Sequence, residues 1–234
     1  MKKLIAASTS TVHGSGYLEY LLKPLGNLFE GIDQIVFVPY ARPGGISHDA
    51  YTAIAAKAFS KLEITVKGLH LFENPVAAIH EARGIFTGGG NTFVLLDQLY
   101  KNQLIEPLKN VIANGTPYLG TSAGSNICGP GVCTTNDMPI VYPPSFDSLG
   151  VLPFYLNPHY LDPDPGSTHM GETRETRINE FHTQNSVAVL GLREGSWVEV
   201  QDEQMHLRGP LKARLFQAGQ DAIELKPDSD LSLI

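Results

Sequence analysis

Residues 117–124 read Pro117-Tyr118-Leu119-Gly120-Thr121-Ser122-Ala123-Gly124. A short apolar run enters G-x-S-x-G, and the chain from Ala123 onward can begin a helix, so the stretch reads as strand, sharp turn and helix start. In that setting a serine stands at the tip of the turn with its hydroxyl above a sheet. The flanking glycines let neighbouring backbone approach where a Cβ would clash. The next backbone N–H, that of Ala123, points into the same space. The bland alternative is a plain strand-to-helix turn in which Ser122 only caps the helix.

Working outward, the same unit repeats. Strand-like runs rich in β-branched residues are expected at 4–9, 35–39, 64–69, 84–87 and 117–121, separated by segments of helical period. Tyr51, Ile54, Ala55, Ala58, Phe59 and Leu62 follow a helical stripe after an N-cap at Ser47, and Asn74-Pro75 opens another helix. Helices are expected over 92–100 and 102–113, with Pro107 as a break or a fresh start and Gly115 at a left-handed C-terminus. Prolines then crowd residues 128–171, which predicts a long irregular connection. A helix over 172–182 and strands at 187–192, 197–201, 205–208 and 213–218 follow, the last of which are expected to close the sheet with hairpins. The pattern predicts an α/β fold: one domain over 1–234, a mostly parallel sheet flanked by helices on both faces, with C-terminal antiparallel strands.

Composition narrows the function. In 234 residues, 17 Lys and Arg face 24 Asp and Glu, a net charge of -7 with no basic run, which argues against nucleic acid. No apolar stretch approaches the ~18 residues of a membrane span. The apolar run after Met-Lys-Lys stops at Ser8-Thr9-Ser10, so the N-terminus reads as a first core strand, with cytoplasmic residence expected. Cys128 and Cys133 are too few for a disulfide framework and lack the partners of a zinc site, so no metal or cofactor is expected.

Gly88-Gly89-Gly90-Asn91 follows the strand at 84–87 and exposes successive N–H groups, which suits an oxyanion or a phosphate. No phosphate-loop motif supports the latter, and Gly14-Ser15-Gly16 lacks the third glycine of a dinucleotide fingerprint. A tight structural turn is the alternative. A nucleophilic serine also needs a base and an orienting group. Among eight histidines, His13, His48, His70, His80, His182 and His206 sit in ordinary helix, strand or turn patterns. His159 stands apart, in Asn157-Pro158-His159-Tyr160 after an apolar run, where Pro158 stiffens the chain. His169 competes with it from Ser167-Thr168-His169-Met170, and its His-x-x-Glu spacing to Glu172 is too little for a metal site. Glu194, after the strand at 187–192, has a rigid place from which to hold an imidazole, or is a solvated turn residue.

These segments, with Thr134-Thr135-Asn136-Asp137-Met138-Pro139-Ile140-Val141, Gly171-Glu172-Thr173-Arg174 and Glu194-Gly195, resemble the peptidase E family of α-aspartyl dipeptidases, nearly end to end. The resemblance implies a fold like that of class I glutamine amidotransferases and hydrolysis of dipeptides with a free N-terminal aspartate through a Ser-His-Glu triad. Residue by residue, it implies Ser122 as nucleophile, His159 as base, Glu194 as third member, and Gly89 and Ala123 as oxyanion donors. It also places Asp137 and Arg174 at substrate-binding positions. Asp137 would hold the α-ammonium or, as a turn residue, cap its own loop. Arg174, which has no acidic residue three or four positions away on its own helix, would hold the side-chain carboxylate or pair with a carboxylate of another element. Thr121 departs from the tryptophan of enterobacterial members, and segment 161–170 differs too. A monomer or homodimer is expected. The rival readings are a hydrolase of the same fold acting on another aspartyl compound, such as a cyanophycin-type polymer, and a catalytically silent small-molecule-binding domain.

Overall fold

The computed structural model describes residues 2–166, 168 and 170–234. Five parallel strands form its centre: β1 (Lys3–Ala7), β2 (Gln34–Val38), β3 (Thr65–Gly68), β4 (Ile85–Thr87) and β5 (Tyr118–Thr121). With β8 (Trp197–Gln201) and β9 (Gln204–Arg208) they make a seven-stranded sheet in the order β3-β2-β4-β5-β1-β8-β9.

Side chains alternate across this sheet, as period two demands. Leu4, Ala6, Val36, Val38, Ile85 and Tyr118 face one apolar cluster. It is closed by helices α3 (Pro75–Glu81), α4 (Thr92–Lys101) and α5 (Ile105–Ala113). Ile5, Ala7, Ile35, Phe37, Phe86 and Leu119 face the other, covered by α1 (Leu22–Leu28) and α2 (His48–Phe59). Both faces are therefore dry, as a parallel sheet requires.

The helix boundaries follow their capping chemistry. Ser47 accepts from the Ala50 N–H at 3.1 Å, and Asn74 from the Ala77 N–H at 3.0 Å with Pro75 in the first turn. The expected helix over 102–113 starts only at Ile105. Asn102 instead closes α4 through its side chain, Gln103 has a left-handed φ of 56°, and Pro107 sits in the first turn of α5, where no N–H is needed. The run 151–156 contributes only its end to a strand, β6 (Tyr155–Pro158).

The expected closure of one sheet by all the late strands needs correction. Only the β8–β9 hairpin joins the main sheet, antiparallel to β1. β7 (Val189–Leu192), β10 (Ala213–Phe216) and β11 (Ile223–Leu225) join β6 in a second sheet of order β11-β10-β7-β6. The chain leaves β7 through a turn in which the Ser196 N–H donates to the Arg193 carbonyl, and Gly195 takes a φ of 90° that redirects it toward the first sheet. The short helices α6 (Ala123–Asn126) and α7 (Arg174–His182) complete the element order.

In-register parallel pairing brings several chain ends to one edge. Ala7 lies beside Thr121 and Thr87 beside Gly120, so residues 8, 88 and 122 leave adjacent strands side by side. That edge, at the carboxyl ends of the strands, is where α/β sheets build their sites. The approach is close: a Cβ on Gly124 would stand 2.2 Å from the Thr87 carbonyl oxygen. Gly124→Ala is therefore expected to destabilise the protein by more than about 3 kcal/mol, since backbone cannot yield as a side chain does. A urea-unfolding midpoint equal to wild type would contradict it.

Candidate active site

Ser122 follows β5 with φ 53° and ψ -112°, and its side chain makes no capping bond to α6. A plain helix cap is thus not its role. For a residue with a Cβ this backbone costs on the order of 1–3 kcal/mol, so the surroundings must hold it. They do so through the Ser122 N–H, which donates to the Ala7 carbonyl at 3.1 Å, and the buried Ser125 hydroxyl, which lies 2.7 Å from the same carbonyl and 2.8 Å from that of Gly120.

His159 comes from the second sheet, one residue beyond β6, and is also left-handed with a φ of 55°. Its N–H donates to the Ser8 hydroxyl at 2.9 Å, and that fully buried serine donates in turn to the Leu192 carbonyl at 2.7 Å. The Asn136 side chain donates to the Pro158 carbonyl at 2.8 Å. So anchored, the imidazole sets Nε2 2.8 Å from Ser122 Oγ and Nδ1 2.6 Å from Glu194 Oε1. With Glu194 ionised, Nδ1 must carry the ring proton, which leaves Nε2 as acceptor for the serine hydroxyl. His169, the competing histidine, lies outside the described residues.

The Glu194 side chain is 53% exposed and that of His159 37%, so their attraction is screened by water and cannot by itself fix the geometry. The neighbouring Arg193 does part of that. Its guanidinium bonds both oxygens of Asp162 (2.8 and 2.7 Å) and both of Glu224 (3.0 and 2.8 Å), and it lies over the Tyr160 ring. Glu194 and His159 are thus each flanked by a residue of one tied cluster. Hydrogen bonds from Arg193 hold the carboxyls of Asp162 and Glu224 below their usual range and raise the Arg193 pKa.

Gly89 packs against Ser122: a Cβ there would meet Ser122 Cβ at 2.9 Å. Among the described residues, neither the Gly89 nor the Ala123 N–H has a hydrogen-bond acceptor. Asp137 lines the same narrow cleft as Ser122 and His159. Its Oδ2 accepts from the Thr92 N–H at 2.7 Å and lies 3.2 Å from the Thr135 hydroxyl, which pins the carboxylate and, among the described residues, leaves Oδ1 without a partner.

Arg174 is not brought into that cleft. It lies in an adjoining one of about 420 Å³ that shares Asn136 with it. Burial, then the nearby Arg177 cation, pull the Arg174 pKa below its ordinary value, against the opposing pull of Asp137. Among the described residues no carboxylate lies within ion-pair distance of it. Ser8 and Asn136 are the anchors that sequence reasoning passed over. The position of Ser8, just after a parallel strand, was the available signal.

The model of peptidase family S51 matches residues 4–208. The chain belongs to peptidase family S51. Among its relatives, Peptidase E of Streptomyces coelicolor is 50% identical over 98% of this chain and 93% of its own length. The "Probable alpha-aspartyl dipeptidase" of Drosophila melanogaster is 45% identical over 100% and 97%. The crystal structure of a peptidase from an acI-B1 Actinobacterium superposes with a TM-score of 0.74 over 100% of this chain and 97% of that one, at 16% identity, a likeness of fold. The peptidase fold expected from the sequence is the one found. Among the described residues, no helix is long and apolar enough to cross a membrane, and no group of three His, Cys, Asp or Glu is placed to hold a metal ion.

The Arg193 cluster makes stability pH-dependent in a defined direction. Carboxylates whose folded pKa is depressed stabilise the fold above their unfolded pKa of about 4, and that contribution is lost as pH falls through the lower folded value. Arg193→Met is therefore expected to cost on the order of 1 kcal/mol at pH 7, modest because Asp162 is half exposed. Urea titrations of both proteins should converge as the pH drops well below about 4. A difference that is constant or grows toward acid would refute the assignment.

Proposed function

We propose that this S51 enzyme is a serine dipeptidase that hydrolyses Asp-Xaa dipeptides with a free N-terminus, using Ser122, His159 and Glu194. The observation that carries the reading is the continuous chain of contacts from Ser122 Oγ to Nε2 at 2.8 Å and from Nδ1 to Glu194 at 2.6 Å, beside two unpaired amides. The relatives named peptidase E and alpha-aspartyl dipeptidase support it at full length.

In the first half-reaction Ser122 Oγ attacks the carbonyl carbon of the aspartyl residue while its proton passes to His159 Nε2. The carbonyl oxygen becomes an oxyanion facing the Gly89 and Ala123 N–H groups. The C–N bond then breaks as His159 returns the proton to the leaving amine, and an aspartyl ester remains on Ser122. Water repeats the sequence, His159 again taking and returning a proton, and frees aspartate. Glu194 keeps the ring proton on Nδ1 and stabilises the imidazolium. Acid-base catalysis and each oxyanion donor supply ~10² to ~10⁴-fold and ~10² to ~10³-fold, so the rate needs both.

Selectivity is assigned to the two cleft charges. The narrow cleft at Ser122, His159 and Asp137 takes the backbone of the aspartyl residue, and its side chain extends away from it. The larger adjoining cleft accepts that side chain, and the Arg174 guanidinium binds its carboxylate. Asp137, through Oδ1, binds the α-ammonium, which requires an unblocked N-terminus. An apolar slot separates one methylene by only ~1–3 kcal/mol, whereas a fixed guanidinium fork penalises the misplaced carboxylate of glutamate. The enzyme acts as a monomer or homodimer. Its two free cysteines fit a reducing compartment, and we place it in the cytoplasm.

Ser122→Ala is expected to lower kcat on Asp-Leu by at least ~10³-fold, and Glu194→Gln by less, since the oxyanion donors and binding survive. Wild type should cleave Asp-Leu well ahead of Glu-Leu and leave N-acetyl-Asp-Leu intact. Full activity in Ser122→Ala would overturn the mechanism. Equal rates on Asp-Leu and Glu-Leu would remove Arg174 as receptor while sparing the triad.

A further inference from the structure

The three successive glycines each meet a different neighbour. A Cβ on Gly88 would stand 2.5 Å from the Tyr51 hydroxyl oxygen, one on Gly89 2.9 Å from Ser122 Cβ, and one on Gly90 2.2 Å from the Ala41 carbonyl oxygen. The loop thus runs between Tyr51 on α2 and Ser122 after β5, with no room on either side.

Tyr51 is 2% exposed, and its hydroxyl donates to the Gly89 carbonyl at 3.0 Å. Its ring is fixed by Phe37, edge-on with centroids 5.0 Å apart, and by the Arg42 guanidinium 5.0 Å from its centroid. The Tyr17 hydroxyl, whose pKa burial raises, donates to the Tyr51 oxygen at 3.5 Å. Tyr51 has one proton to give, and it goes to Gly89.

A glycine backbone is soft, and a peptide plane that rotates turns its N–H away. Here the Gly88 N–H is tied to the Val38 carbonyl and the Asn91 N–H to the Ala41 carbonyl. The Gly89 carbonyl is tied to Tyr51. The peptide plane that carries the Gly89 N–H lies between these ties. Among the described residues neither this N–H nor that of Gly90 has an acceptor, and Gly89 is the glycine that packs on Ser122.

We propose that Tyr51 is a positioning residue for the oxyanion loop, its hydroxyl holding the Gly89 carbonyl so that the Gly89 N–H stays aimed at the oxygen of the bound acyl group. This rests on the reading of Gly89 as an oxyanion donor. Because the oxyanion forms only in the transition state, loss of the hydroxyl should appear in kcat and not in KM.

The test is Tyr51→Phe, which keeps the ring, assayed well below its own Tm beside wild type and Ser122→Ala. On Asp-Leu, kcat should fall about 10- to 100-fold, part of the value of one oxyanion donor, with KM within about twofold. The rate of Ser122 labelling by a fluorophosphonate probe, which also develops an oxyanion, should fall in parallel. An unchanged kcat, or a raised KM at unchanged kcat, overturns the proposal even if the variant is less stable, because a purely structural hydroxyl would lower only Tm. Should Ser122→Ala remain active, the underlying mechanism fails instead, so the two failures are told apart.

Discussion

The backbone at Ser122 is the constraint on which the rest of the site depends. A residue with a Cβ at φ 53° and ψ -112° is held there only because three buried hydrogen bonds, from the Ser122 N–H and the Ser125 and Tyr118 hydroxyls, secure the turn around it. Each contributes about 1 kcal/mol net, and together they offset a strain of about 1–3 kcal/mol. The serine is thereby fixed relative to β1, β4 and β5 at once, and Gly124 against Thr87 and Gly120 against Gly124 are consequences of that closeness. The position of Ser122 is a property of the sheet and not of a side-chain rotamer.

Its partners belong to the other sheet. Pro158 and Leu192 are neighbours in the parallel β6–β7 pair, so His159 and the turn bearing Glu194 leave that sheet together. Ser8 joins the two systems: it follows β1 of the first sheet, bonds the His159 N–H, and donates to the Leu192 carbonyl of the second. Because the Ser122–His159 contact crosses between sheets, its 2.8 Å depends on this buried linkage more than on the exposed His159–Glu194 attraction. The left-handed φ of His159 places a second strained residue opposite the first.

Much of this was legible in the sequence because it is written in local steric needs. Glycines at 88, 89, 90, 120 and 124 announce backbone contacts, and Ser47, Asn74-Pro75 and Gly115 mark helix ends through capping groups that act within a few residues. The division of the late strands between two sheets was not legible. β7 and β10 pair through backbone groups that every residue has, and nothing local distinguishes a hairpin onto one sheet from a crossing to another. α1 was hidden by its length and by Pro24, and β11 by its three residues. Tyr51 looked like one more apolar position on a helical stripe. Its contact with Gly89 lies 38 residues away and exists only once the sheet has formed.

Charge poses the last problem. The proposed Asp-Xaa substrate bears two carboxylates and one ammonium, and it would meet a chain of net charge -7. At physiological ionic strength the Debye length is about 8 Å, so the distant surface charge is screened and the cleft's own groups decide. Those groups are not balanced alike. Asp162 is committed to Arg193, and Glu172 lies 3.8 Å from Arg177, while Arg174 has no such partner among the described residues. Its lowered pKa expresses the same shortage: a partly buried cation facing a like charge, opposed by Asp137. An incoming side-chain carboxylate relieves that shortage, whereas a neutral side chain leaves the guanidinium desolvated and unpaired. Under the proposed selectivity, discrimination would come as much from the cost of leaving Arg174 unmet as from the bonds it forms.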